Sequence, residues 1–296
     1  MIRHGVRPVI FALLLMTPGC HDAAAGCFAP GAVLPERAAT LADPRLGRSA
    51  RDLAEALFDR DLARAERLLA DDPGLARVGI GERHSMLTIA LASCEPRAIG
   101  LLIRRGAPLD PTGDGGTLRL ALMADDPAFA HALLSAGAKP APAGAPLGPF
   151  AVAAALGSAG AVRMLLDFGL DPNTRDRVGG GPLQSALDAE RFGIAELLLD
   201  RGADPWSVDV TGGTLGHAVS KPPITPGAEE EAARGRLLAR LPRLGWPSPP
   251  PGPAEVRRLA LAGRWPPAGA KAPPVPPRVL AIMAENEKRA GKRPLN

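Results

Sequence analysis

GPLQSALDAERFGIAELLLDRGADPW, residues 181–206, is the segment on which the fold turns. Three other stretches align with it without a gap: SMLTIALASCEPRAIGLLIRRGAPLD (85–110), GTLRLALMADDPAFAHALLSAGAKPA (116–141) and GPFAVAAALGSAGAVRMLLDFGLDPN (148–173). Each is 26 residues long, with an Ala at 90, 121, 153 and 186. A Leu or Phe stands three residues before each Ala, and a Gly stands 16 residues after it. The units recur every 31 to 33 residues. Self-similarity at such a period marks a stacked repeat, in which each unit buries its apolar face only against its neighbours.

The same positions describe the unit physically. A first helix opens at Ser85, Thr117, Pro149 or Pro182; proline is tolerated there because the N–H it lacks has no partner in a first turn. The Ala lets stacked helices approach closely. A second helix carries Leu101-Leu102, Leu133-Leu134, Leu165-Leu166 or Leu197-Leu198 and stops at the Gly, which accepts the left-handed conformation past a helix end. A stretch of Pro, Asp and Gly then crosses to the next unit as a turn or hairpin. The pattern predicts an all-α solenoid of paired antiparallel helices with short hairpin or loop fingers.

Gly202-Ala203-Asp204 and Asp171-Pro172-Asn173 close their units, and Pro182-Leu183 opens one. This resembles the ankyrin repeat, whose units open on TPLHxA and close on LLxxGADxN. The opening His is missing, replaced by Thr88, Arg119, Ala151, Gln184 and Gly216. The hydrogen bonds it makes between neighbouring loops are therefore expected to be replaced or lost, with somewhat looser stacking.

Working outward, Ala56 and Ala218 extend the register at 34 residues before Ala90 and 32 after Ala186. The last second helix is expected within 228–241. About six units then cover 49–246, the first and last atypical, as end caps require. A linker is read at 26–48 and a Pro-rich basic tail or cap at 247–296. Residues 221–296 hold 14 Lys/Arg against 6 Asp/Glu and 16 of the 33 prolines. Such proline density excludes long helices, but short ones fit at 254–262 and 277–290.

The N-terminus reads as an address. Arg3 and Arg7 precede an apolar run from Val9 to Met16, the pattern of a secretory signal, so 1–25 is read as a signal segment and the protein as exported and periplasmic. Gly19-Cys20 resembles the end of a bacterial lipoprotein signal, which implies lipidation of Cys20 and attachment to the membrane. Cleavage after Ala23-Ala24-Ala25 is the alternative, and both readings stay open. Export also permits Cys27 and Cys94 to oxidise.

Apolar residues make up 46% of the chain and aromatics 3%, with no Tyr; the apolar mass is Ala and Leu, which favours helix. There is no HExxH, GxSxG, Walker-type loop or GxGxxG after a strand. The five histidines are scattered, and Asp110 to Asp114 lacks the ligand spacing of a calcium loop. Gly179-Gly180-Gly181 is read as a flexible finger. The reading is non-catalytic, with no metal and no cofactor. Nucleic acid is set aside, since the basic tail has no interleaved aromatics to stack bases.

The resemblance implies a protein partner, bound through finger tips and the exposed side of the first helix, which line a concave groove. Register places Met123, Leu147, Leu156, Arg177, Val178, Asp188, Asp209 and Val210 there. The apolar members form the kind of surface that marks an interaction site. Trp206 stands where the closing Asn is expected, either as a hot spot on the rim or packed on the next finger. The leading reading is a protein-binding scaffold of the bacterial cell envelope. The alternatives are an immunity or inhibitor protein occluding a toxin or envelope enzyme, and a structural anchor acting through the basic tail.

Overall fold

Small and large apolar residues alternate between two kinds of helix, and that alternation builds the stack. In a computed structural model, residues 27–28, 31–140, 148–176, 178–222, 224 and 227–290 are described. After a short α1 (Arg37–Leu41) come six helix pairs. The first helices are α2 (Arg48–Phe58), α4 (Met86–Ala92), α6 (Gly116–Leu122), α8 (Pro149–Leu156), α10 (Pro182–Asp188) and α12 (Leu215–Val219). The second helices are α3 (Leu62–Asp71), α5 (Pro96–Arg104), α7 (Ala128–Ser135), α9 (Ala159–Asp167), α11 (Phe192–Asp200) and α13 (Ala228–Arg240). Each first helix packs on its own second helix and on the first helix of the next unit.

The anchor alanines Ala56, Ala90, Ala121, Ala153 and Ala186 are all buried. Opposite them, Leu69, Leu102, Leu133, Leu165, Leu198 and Leu237 point inward from the second helices and are fully covered. Gly106, Gly137, Gly169 and Gly202 take φ of +80°, +93°, +84° and +91° just past the second helices, a conformation a Cβ would strain. One apolar cluster runs from Phe28 to Met283. Strand is confined, among the described residues, to the finger of the second unit, where Gly79–Ile80 pairs with His84–Ser85.

The linker and the tail are both built in. Cys27 and Cys94 form a disulfide across 67 residues of sequence, and Phe28 joins the core. At the other end, α14 (Pro253–Leu261) and α15 (Pro277–Ala290) lie near the expected short helices, and α13 lies where the last second helix is expected. Proline starts both helices, so the proline-rich tail has helices that begin at its prolines. The signal segment, with Cys20, lies outside the described residues.

Candidate protein-binding groove

The fingers are tied to one another by polar groups at the repeat's closing motif. Asn173 Nδ2 donates to Gly202 O at 3.0 Å, and Asp204 N donates to Asn173 Oδ1 at 2.7 Å. Gln184 Nε2 donates to Ser207 Oγ at 2.5 Å, both residues buried. The bond that the absent His would make between loops is thus supplied here by Gln184. Arg175 lies 3.6 Å from Asp204 and donates to Gly179 O and Val208 O. Burial pushes the Arg175 guanidinium down and the Asp204 carboxyl up, each partly offset by the other.

Gly216, another of the positions without His, has its own reason. A Cβ there would run into the Trp246 ring. Trp246 in turn stacks on Trp206 with centroids 4.4 Å apart and planes 6° from parallel. Trp265 meets Trp206 edge-on at 5.6 Å and donates its Nε1–H to Trp206 O. Trp206 is 4% exposed, so the rim reading is corrected: its indole is core, holding the tail against the sixth unit.

The other predicted residues divide. Leu156 and Val178 are open, at 36% and 45% exposure. Met123 and Val210 are half-buried, and Val210 N donates to Val178 O at 3.2 Å, pairing two successive fingers. Asp209 is also corrected: it is buried, and its Oδ1 accepts from Thr211 N, Thr211 Oγ1 and Gly213 N. It folds the finger turn. Leu147 and Arg177 lie outside the described residues.

Two hollows of about 220 Å³ each lie along the first-helix face. One gathers Thr88, Arg119, Leu120 and Met123 beneath Val33 and His84. The other, between α10 and α12, gathers Gln184, Asp188, Thr214, His217 and Lys221. Asp188 keeps solvent contact, yet the walls desolvate it enough to raise its pKa, and the nearby Asp209 charge adds to the rise. Burial lowers the pKa of His84, assisted by Arg83, and that of His217, assisted by Lys221. The sequence reading missed Thr88, Arg119, Leu120, Gln184 and His217 as lining residues. Their signal was register: they stand one or two places before the anchor Ala, on the same helix face as the positions that were chosen. Among the described residues no group of three His, Cys, Asp or Glu is placed to hold a metal ion.

No family model matches the chain, and no curated protein matches it. A solved structure does: the ankyrin repeat domain of Bcl-3, a member of the IkappaB protein family, at 22% identity and a TM-score of 0.53. The match covers 79% of this chain and 97% of that one. With stacked helix pairs, left-handed closing glycines and fingers tied through Asn173, the chain has the ankyrin-repeat fold.

Proposed function

We propose that this protein is a non-catalytic scaffold that binds a partner protein through its concave groove, and that it works outside the cytoplasm, in the cell envelope. The observation that carries the binding reading is the first-helix face. It holds two hollows, with Leu156 and Val178 open to solvent. Repeat arrays use such a surface because neighbouring units present it as one continuous strip. Open apolar side chains beside polar ones suit a protein partner better than a small charged ligand.

The envelope reading is supported by the basic start and short apolar run at the N-terminus. The Cys27–Cys94 disulfide adds to it, since such bonds persist in oxidising compartments. Attachment to the membrane by lipid at Cys20 belongs to the same proposal.

The test is crosslinking in cells followed by purification, comparing the native protein with a Met123→Glu/Leu156→Glu/Val178→Glu variant of unchanged circular dichroism. Capture of one partner by the native protein and its loss in the variant is expected. Equal capture by both would overturn the groove. For location, fractionation and intact-mass analysis are expected to find the protein in the envelope, and a Cys20→Ala variant free of the membrane.

A further inference from the structure

The array is crossed near its N-terminal end by its own chain. Cys27 is bonded to Cys94, in the turn that joins α4 to α5. Cys27 O accepts from Asp125 N at 3.0 Å, and Phe28 forms an antiparallel bridge with Ala124. The Phe28 ring lies 6.4 Å from that of Phe129. These contacts fix the segment to the turns of the second and third units. The chain next appears on the first-helix face, where Gly31 and Val33 wall the hollow over Thr88, Leu120 and Met123. It leaves through a buried Pro35 into α1, which packs on α2.

The third unit's turn has been adapted to this contact. Four residues after the anchor Ala, Arg60, Cys94, Gly157 and Glu190 take positive φ. The corresponding residue of the third unit, Asp125, gives its N–H to the crossing segment.

Among the described residues the crossing segment is covered unevenly. Val33 is 72% exposed, Gly31 is exposed, and Ala32 and Leu34 are only half-buried. Phe28 is its buried ring, Cys27, Ala32 and Leu34 pack against the core from half-buried positions, and its covalent anchor is a disulfide whose two cysteines are themselves only half-buried.

We propose that residues 27–28 and 31–35 act as an intramolecular strap over the groove end formed by the second and third units, and that the Cys27–Cys94 disulfide is its latch. Attack by a dithiol reductant opens the latch. The dithiol supplies two electrons and two protons, becomes a disulfide itself, and leaves Cys27 and Cys94 as thiols. The strap then lifts, and Thr88, Leu120 and Met123 become available to a partner. The use of the uncovered surface rests on the groove-binding reading, but the release itself does not, and the test needs no partner.

The test is hydrogen–deuterium exchange on the full chain in three forms: oxidised, treated with dithiothreitol, and Cys27→Ser/Cys94→Ser. Amides of the strap and of Asp125 are expected to exchange about tenfold faster or more in the last two forms, as in a local opening. Peptides from α8 to α11 are expected to be unchanged. In the serine variant, dilute peroxide is expected to convert Met123 to its sulfoxide faster than in the oxidised protein.

Unchanged exchange in the strap after reduction would overturn the latch. Faster exchange spread through α8–α11 would overturn it too, because the bond would then be holding the whole array. A disulfide that dithiothreitol reduces only after global unfolding would do the same.

Discussion

A methyl group decides what each anchor position tolerates. Ala153 is fully buried between α8 and its neighbours, so Ala153→Leu forces side chains and backbone apart, with an expected cost of about 1–3 kcal/mol in urea unfolding. Gln184→Ala leaves the buried Ser207 hydroxyl without its partner, an expected loss of about 1–3 kcal/mol. Gly216→Ala places a methyl against Trp246 and is expected to loosen the tail, seen as a red shift of indole fluorescence. Two imidazoles set a pH response. His84 and His217 have lowered pKa values because burial penalises the charged form. The unfolded chain therefore takes up protons first, so stability is fully present above the ordinary imidazole value, about 6.5, and falls as pH drops through it. A His84→Gln/His217→Gln variant is expected to flatten that limb in unfolding followed from pH 7.5 down to about 5.5.

Among the elements, the helix pairs were legible in the sequence and the two closures were not. Each pair announces itself through residues that recur locally, such as Ala186, Leu198 and Gly202, and the period repeats the message. Helices α13, α14 and α15 could be placed from proline and Ala/Leu content alone. The Trp206–Trp246–Trp265 cluster had no such signal, because its members come from different elements and share no period. An indole at a finger base reads equally as rim or core until something is seen to cover it. Oxidation of Cys27 and Cys94 was open from the sequence, but the crossing they make was not legible, because the partners of Phe28, Ala124 and Phe129, lie far along the chain and share no period with it. In the groove, the open residues Leu156 and Val178 followed from register. Asp209 did not, since a carboxylate folding its own turn and one facing solvent look alike in sequence. Truncation after Trp246 removes α14, α15 and Trp265. The expected result is faster amide exchange in α12 and α13 with α4 and α5 unchanged, as fraying from one end of a linear array requires.

At the scale of the whole molecule, an array in which each unit touches mainly its neighbours transmits a pull along its length, unit by unit. The disulfide changes where such a pull enters. Tension applied to the N-terminus of the oxidised chain passes straight from Cys27 to Cys94 and bypasses α1 to α4, which lie inside the closed loop. The Cα atoms of the two cysteines are 6.5 Å apart, with 67 residues of sequence separation stored between them. Once the bond is reduced, those residues come into series with the load, and unravelling them adds roughly 220–240 Å of reach. If the chain is tethered by its N-terminus, one bond sets how far from the tether the remaining units can travel.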